Sequence, residues 1–311
     1  MNSKTNSNPV SSFGNRPIFN DDYGNNIIAD KVKIGEPFCF GRIGMSEMMV
    51  LYNHLRGNSW DTPVLTPTVS VRHQARFMGG LYPPTDGMLN RFCEYYLSRI
   101  KEVDMYGTWV QSAGYGHLGE SALCQDYVNP SAVLTTMNPP ISFDRENPWT
   151  LELKGKTLLV AHPFSESIES QAKNLKNIWS GKAVFPDDVK IKTLKVPLYD
   201  YLIEPEFPDW FSALEDMKRK MENTQFDVLI VGAGFWGVPL ALHAKKIGKI
   251  GLHTAGATQL LFGIRGKRWD GNKQYQEQFF NEHWVRPLPK ETPAPKFEEY
   301  KEFFHEGGCY W

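Results

Sequence analysis

The segment FDVLIVGAGFWGVPLALHAKKIGKIGLHTAGATQLLFGIRGKRWD, residues 226–270, carries the clearest structural signal in the chain. Residues 228–231 form a short, continuous apolar run, which is typical of a strand buried on both faces of a parallel sheet. A glycine-rich turn follows at 232–237, and residues 238–247 have the pattern of a helix that ends at Gly248. This order of elements cradles phosphate groups, because glycines let the backbone approach the ligand and the helix N-terminus offers free N–H groups. The segment therefore predicts a nucleotide site.

The chain around this segment alternates between predicted strands and helices. Strands are predicted at 157–161 and 191–196, with a helix at 165–180 between them. A further amphipathic helix leads into the apolar strand, and another strand is predicted at 250–256. Alternation with short links indicates right-handed βαβ crossovers. We therefore predict an α/β fold with a Rossmann-like, mostly parallel sheet and helices on both faces.

In such a sheet, ligands bind beyond the carboxyl ends of the strands. We therefore expect His162, the turn at 232–237 and His253 to lie along one rim. Both histidines are interpreted as structural residues.

A second cluster of chemistry-bearing residues has the pattern Arg-x-Gly-x-x-Glu at residues 42–47. A strand is predicted at 38–40, and Ser46 is predicted to be the N-cap of the following helix. Arg42 is a candidate for holding phosphate, and Glu47 is a candidate base or ligand of a divalent metal. A glutamate in a first helical turn also favours the helix dipole, so a structural role for Glu47 stays open.

Composition and proline distribution suggest a division of the chain into arms and one domain. The predicted parts are a flexible N-terminal arm (1–30), a single α/β domain (31–270) with an N-terminal half (31–148) and a Rossmann-like half (149–270), and an extended C-terminal arm (271–311). Residues 111–148 are rich in glycine, proline and asparagine and are expected to join the two halves.

Net charge indicates which classes of partner are disfavoured, and cysteine usage indicates the redox setting. The formal net charge is −1, which does not favour nucleic acid or an anionic membrane as a partner. No run approaches the roughly 20 apolar residues of a membrane span, and the Asn/Ser-rich start lacks the apolar core of a secretory signal. The four cysteines, Cys39, Cys93, Cys124 and Cys309, lack metal-ligand spacing. A reduced, cytoplasmic setting is therefore expected.

The glycine-rich turn also has the spacing of a dinucleotide-binding fingerprint. That interpretation requires an acidic residue about 20 positions further on, at the end of the next strand. The next strand, IGLHTAG at 250–256, contains neither aspartate nor glutamate. The motif also comes late in the chain, so an NAD(P)-dependent oxidoreductase is the less favoured alternative. Tight packing of helix on strand is a further explanation for Gly232 and Gly234.

A second turn of small residues, Gly256-Ala257-Thr258-Gln259, ends the predicted strand at 250–256. It could offer N–H groups and the Gln259 amide to a base or a ribose, or it could be an ordinary helix start. The basic residues just beyond it could meet a diphosphate or form a solvated turn; they are Arg265, Lys267 and Arg268.

Taken together, these segments resemble the bacterial and viral proteins with a GT-D-type glycosyltransferase fold. The resemblance is carried by RIGMSE at 42–47, by the segment at 228–270, by LKGKTLLVAHPFSESIESQ and by the closing NEHWVRP…GGCYW, and it covers nearly the whole chain after residue 30. It implies an enzyme that moves a sugar from a nucleotide-sugar, typically a UDP-sugar, to a glycan or other acceptor. It also implies a divalent metal such as Mn²⁺ or Mg²⁺.

The chain departs from the family's signature at one position that matters chemically. The signature is an Arg-Phe-Gly-Asp-Gly-Glu type segment whose Asp-x-Glu serves the metal and the donor. Arg42, Gly44 and Glu47 match it, whereas Met45 stands in the place of the Asp and Ser46 in the place of the second Gly. The implied metal ligand is therefore Glu47 alone.

The glycosyltransferase hypothesis gives each candidate residue a role. Glu47 binds the metal or orients the donor, and Arg42 offsets phosphate charge. The predicted nucleotide-binding residues are Gly232, Gly234, Gly237, Gly256, Gln259 and Arg268. The alternative is a non-catalytic nucleotide-sugar-binding or scaffold protein that has kept the fold. The feature that distinguishes them is whether Asp104 or Glu120 replaces the missing aspartate near Glu47.

Overall fold

The structure is a computed structural model. It describes residues 8–311 except 110–115, 142, 200–201, 203–205, 294–295, 304–307 and 309. The strands are β1 (Ser11–Phe13), β2 (Arg16–Phe19), β3 (Phe38–Arg42), β4 (Pro63–Thr66), β5 (Val69–Ser70), β6 (Met105–Thr108), β7 (Val133–Thr136), β8 (Thr157–His162), β9 (Lys190–Lys195), β10 (Val228–Val231) and β11 (Ile250–His253). The helices are α1 (Asp21–Ile34), α2 (Met45–Leu55), α3 (Val71–His73), α4 (Asp86–Ile100), α5 (Gly116–Tyr127), α6 (Ser165–Gln171), α7 (Leu175–Ile178), α8 (Trp210–Glu222), α9 (Gly237–Lys246), α10 (Lys267–Asp270), α11 (Lys273–Gln278) and α12 (Phe297–Tyr300).

Within the described residues, one large sheet organises the fold. Its nine strands lie in the order β1-β2-β7-β6-β3-β11-β10-β8-β9, and β4 pairs separately with β5. The β1–β2 pair is antiparallel, and the other neighbouring pairs of the large sheet are parallel. The predicted α/β fold with a mostly parallel sheet is therefore confirmed.

The central strands are buried on both faces, as the apolar run of β10 predicts. Leu229 and Val231 belong to a hydrophobic cluster on one face of the sheet. Val228 and Ile230 alternate with them and belong to the cluster on the other face. Because successive side chains of a strand point to opposite faces, helices must cover both faces of this sheet.

The connections after the four central strands open a crevice at the carboxyl edge of the sheet. The helices that follow β3 and β10, α2 and α9, contribute to one hydrophobic cluster. The segments that follow β8 and β11, α6 and the 3₁₀ helix Ala255–Phe262, contribute to the other. Along the order β3-β11-β10-β8, the connections that follow neighbouring strands therefore lie on opposite faces of the sheet. A crevice between such connections is where open α/β sheets bind ligands.

The expectation of a flexible arm over residues 1–30 is corrected from residue 11 onward. The strands β1 and β2 extend the sheet, and α1 buries Ile28 and Val32. The Arg16 guanidinium donates hydrogen bonds to the carbonyl oxygens of Cys124 at 2.8 Å and Asn129 at 2.7 Å. The average composition of this segment is rich in Asn and Ser, but a few apolar residues have the spacing that burial requires.

The C-terminal part is also more ordered than the extended arm expected over residues 271–311. It forms α11 and α12, and it buries Trp284 and Glu291. The Glu291 carboxylate accepts hydrogen bonds from the backbone N–H groups of Glu166 at 2.7 Å and Ser167 at 3.1 Å. This contact caps α6 from a distance of more than one hundred residues along the chain, so sequence spacing could not reveal it.

Several boundaries differ from the predictions. The N-cap of α2 is Gly44 rather than Ser46. The helix predicted at 165–180 is broken after α6 by a 3₁₀ turn, Ala172–Asn174, before α7 begins. The joining region 111–148 contains α5 and β7, which were not predicted.

Two expectations from composition, on the cysteines and on membrane-spanning segments, can be compared with the structure. Cys39, Cys93 and Cys124 are free and buried, and Cys309 lies outside the described residues. No helix in the described part of the chain has the length and apolarity that a membrane crossing requires.

Candidate functional site

A cavity of about 700 Å³ lies at the carboxyl edge of the central strands. This volume is within the range of small-molecule sites, roughly 300–1,000 Å³. With the exception of Gly237, the predicted site residues line it; they are Arg42, Glu47, Gly232, Gly234, Gly256, Gln259 and Arg268. His162 and His253 line it as well, which confirms the expected rim. The two halves of the chain therefore contribute to one site.

Glu47 is a buried carboxylic acid at the start of α2. It is the third residue of the helix, and its side chain folds back over the N-cap, so that a Cβ at Gly44 would lie 2.3 Å from Glu47 Oε2. Burial raises the pKa of Glu47 to about 7, although the backbone N–H groups of Glu47 and Gly44 and the charge of Arg42 lower it. A carboxyl group with this pKa can exchange a proton near neutral pH.

Arg42 ends β3 and points a cationic group into the cavity wall. Its Nη1 donates to the carbonyl oxygen of Met137 at 3.2 Å and to Asn138 Oδ1 at 3.0 Å. Its Nε is buried and has no hydrogen-bond partner within the described residues. Burial lowers the pKa of Arg42, but a guanidinium remains charged in proteins. A buried donor without a partner favours a ligand that brings an acceptor.

The two rim histidines are neutral and hold opposite tautomers. His162 Nδ1 accepts a hydrogen bond from the backbone N–H of Phe164 at 3.0 Å, so its proton lies on Nε2. His253 Nδ1 must donate to the Arg42 carbonyl oxygen at 2.9 Å, because a carbonyl can only accept. Burial lowers the pKa of each ring to about 3. His253 thus fixes the backbone of Arg42 without contributing charge, in agreement with its structural interpretation.

The three glycines of the first turn have different roles. A Cβ at Gly232 would lie 2.4 Å from Thr258 Oγ1, so the turn passes closely between β8 and the second turn. Gly234 has a φ of +47°, a conformation that favours glycine. A Cβ at Gly237 would lie 2.1 Å from His253 Nε2. Gly237 therefore lies behind the histidine ring and packs α9 against it, rather than lining the cavity as a ligand-binding residue.

The second turn contacts Tyr310, for which no role was predicted. The Nε2 of Gln259 donates to the carbonyl oxygens of Ile264 at 3.1 Å and Tyr310 at 3.0 Å. Since both partners are acceptors, the orientation of the amide is fixed, and Oε1 is left buried without a partner within the described residues. Gly256 lies under the Tyr310 ring, and Arg268 Nη1 donates to Tyr310 Oη at 3.2 Å. The predicted nucleotide-binding residues Gly256, Gln259 and Arg268 thus all contact one residue, Tyr310.

Neither candidate carboxylate replaces the missing aspartate. Asp104 lies at the opposite edge of the sheet, where it accepts from the backbone N–H of Cys39 and pairs with Lys245, at 2.8 Å and 2.7 Å respectively. Glu120 is fully buried and does not line the cavity. Its two oxygens accept from Tyr106 Oη at 3.1 Å and from the backbone N–H of Trp109 at 2.8 Å. Glu120 therefore supports the wall of the cavity through Trp109.

The residues around Glu47 do not fit the divalent cation that the resemblance implies. Within the described residues, no group of three or more His, Cys, Asp and Glu side chains could hold a metal ion. Glu47 itself faces Gly44 and interacts with Arg42.

The wall opposite the glycine turns was not predicted from the sequence. It includes Asp21 from α1, and Asn138 and Arg145 from the joining region. The Asp21 carboxylate accepts from the backbone N–H of Asn138 at 2.9 Å, and Arg145 Nε donates to Asp22 at 2.8 Å. These residues come from segments without a clear periodic pattern, so only the folded chain reveals them.

Comparison of the chain with family models, with curated proteins and with solved structures found no match.

Proposed function

We propose that the chain transfers a sugar from a nucleotide-sugar, most readily a UDP-sugar, to a glycan or other acceptor, on a GT-D-like fold. The observation that carries this proposal is the convergence of the Arg42–Glu47 segment and the two glycine turns on one cavity. These are the segments on which the resemblance to GT-D-type glycosyltransferases rests.

The diphosphate of the donor is assigned to the cavity wall between the first glycine turn and the arginines. Gly232 and Gly234 line the cavity without side chains, so a phosphate can approach the backbone of this turn closely. Arg42 and Arg268 both line the cavity and offset the charge that the leaving nucleoside diphosphate develops. The buried, unpartnered Nε of Arg42 supports an anionic ligand here.

Glu47 is assigned the role of general base. In the transfer step, the proton of the acceptor hydroxyl passes to the Glu47 carboxylate and the hydroxyl oxygen bonds to the anomeric carbon. The bond from that carbon to the diphosphate oxygen breaks, and its electron pair leaves with the nucleoside diphosphate. A base with a pKa of about 7 suits this step, because it is substantially ionised at neutral pH and still accepts a proton effectively.

Two observations favour a second candidate, a non-catalytic nucleotide-sugar-binding protein. Neither Asp104 nor Glu120 replaces the missing aspartate near Glu47. The Glu47 carboxylate folds over the N-cap of α2, where it also stabilises the start of the helix. If that is its whole function, the cavity binds a nucleotide-sugar and transfers nothing. An NAD(P)-dependent oxidoreductase has less support, because β11 ends at His253 and no acidic residue is there to bind a ribose.

Thermal-shift measurements with UDP, GDP, UDP-sugars and NAD(P)H, each with and without Mn²⁺, separate these functions. We expect UDP and UDP-sugars to raise the melting temperature, with little dependence on Mn²⁺, because ligands that bind only the folded chain stabilise it. Stabilisation by NADH and not by UDP would refute the proposed function. Release of UDP from a UDP-sugar in the presence of acceptor then distinguishes the enzyme from the binding protein.

A further inference from the structure

Tyr310 contacts the second turn and Arg268 at the part of the cavity where the donor is proposed to bind. Its ring lies on Gly256, where an added Cβ would come within 2.1 Å of Tyr310 Cε1. Its carbonyl oxygen accepts from Gln259 Nε2 at 3.0 Å, and its hydroxyl accepts from Arg268 Nη1 at 3.2 Å. The Arg268 guanidinium also lies 5.2 Å from the centroid of the ring. Tyr310 therefore covers the second turn and engages its cation.

Arg42, Arg268 and Tyr310 line the same cavity. The phenol oxygen thus accepts a hydrogen bond from one guanidinium group in a cavity that a second guanidinium group also lines. This environment suits a phosphate oxygen better than a neutral hydroxyl.

Trp311 holds the backbone next to Tyr310 from outside the cavity. Its ring packs edge-on against Tyr199 at a centroid distance of 5.4 Å and lies 6.1 Å from that of Phe297. Its carbonyl oxygen accepts from the backbone N–H of Lys267 at 3.4 Å. These contacts do not involve the Tyr310 side chain, so the phenol can leave the cavity while the neighbouring residue stays anchored.

We propose that Tyr310 is an intramolecular competitor of the donor. Its hydroxyl occupies the position at Arg268 that takes a phosphate group, and the ligand displaces it. The assignment of a phosphate-containing anion as the ligand rests on the proposed function, in which Arg42 and Arg268 face the diphosphate of the donor. A phosphate forms stronger hydrogen bonds with a guanidinium group than the phenol does, so displacement of Tyr310 by the ligand is favourable. The apparent affinity of the chain for the ligand is nevertheless reduced, because in a fraction of the chains Tyr310 occupies the site.

Calorimetric titration with inorganic pyrophosphate tests this proposal without requiring a nucleotide. We expect Tyr310→Ala to lower the dissociation constant by about tenfold relative to the parent chain. Tyr310→Phe removes only the hydroxyl and is expected to give a smaller decrease. Tyr275→Phe is the matched control, because Tyr275 also lines the cavity but packs on Phe143 and Phe279. Its affinity should equal that of the parent.

An unchanged or weaker affinity in Tyr310→Ala would overturn the proposal, and weaker binding would instead make Tyr310 a ligand-binding residue. Absence of pyrophosphate binding in every variant would overturn it too, because no anion site would then exist at Arg268. The failure of this proposal and the failure of the proposed function give different results. Tighter pyrophosphate binding without sugar transfer supports the competitor and refutes the transferase, whereas transfer with unchanged pyrophosphate affinity does the reverse.

Discussion

Glu47→Gln is expected to lower sugar transfer by about 10²–10⁴-fold while the chain remains folded, because an amide cannot accept the proton of the acceptor hydroxyl. The side chain keeps its size and can still lie over Gly44, so the start of α2 is preserved. The measurement is the rate of UDP release from a UDP-sugar at saturating acceptor, together with the affinity for UDP. We expect the affinity to change little, because Glu47 acts on the acceptor.

The same substitution has a pH signature in stability. Burial raises the pKa of Glu47 from 4.5 to about 7, so its folded pKa lies above its unfolded value. The contribution of the protonated carboxyl to stability is therefore fully present below pH 4.5 and is lost as the pH rises through about 7. Relative to Glu47→Gln, the parent should lose up to about 3 kcal/mol across this window. Urea unfolding of both chains on either side of the window measures the difference.

Glu94→Gln provides the control for this prediction, because Glu94 is exposed on α4 and lies away from the cavity. It should match the parent in transfer and in the pH dependence of stability. Equal turnover of Glu47→Gln and the parent would remove Glu47 from the mechanism. A parent chain that binds UDP-sugar but transfers nothing would favour the non-catalytic alternative.

Gly237→Ala is expected to disturb the site without touching a ligand. The new Cβ would lie 2.1 Å from His253 Nε2 and 2.2 Å from its Cδ2, so the buried ring has to move. Moving it breaks the hydrogen bond from Nδ1 to the Arg42 carbonyl oxygen, which fixes the end of β3. We expect a loss of about 1–3 kcal/mol in the free energy of unfolding from overpacking, and about 10²-fold in transfer from displacement of Arg42.

Urea unfolding and the transfer assay check both parts of this prediction. Gly87→Ala is the matched control, because Gly87 lies in α4 and an added Cβ meets no atom within 4 Å. Its stability should be equal to that of the parent or slightly higher, since alanine favours a helix. If Gly237→Ala behaves like the control, the His253 ring does not position Arg42.

The elements with a strong local pattern were predictable from the sequence. The strand β10 has the predicted bounds, because four consecutive apolar residues between polar or glycine neighbours fit only a buried strand here. The end of β3 and the start of α9 were also found to within a few residues. Since parallel strands align their carboxyl ends, the meeting of Arg42, Gly232 and Gly256 at one edge followed from those elements.

The remaining features depend on contacts between distant parts of the chain. Gly237 has the spacing of a phosphate-binding glycine, but the His253 ring occupies the space beside it. Tyr310 reaches the second turn from about fifty residues away, and Asp21 reaches the cavity from a segment whose polar composition resembles that of a disordered arm. Periodicity describes which face of an element is buried, but it does not describe which distant side chain fills the adjacent space.

A crystal structure of the chain with UDP bound is the most direct test of the claim that this cavity is a nucleotide diphosphate site. We predict that the diphosphate lies within hydrogen-bond distance of the backbone N–H of Gly234 and of the Arg42 guanidinium, and that the Tyr310 hydroxyl has moved away from Arg268. UDP bound at another surface, or a cavity that stays empty at saturating UDP, would contradict that claim.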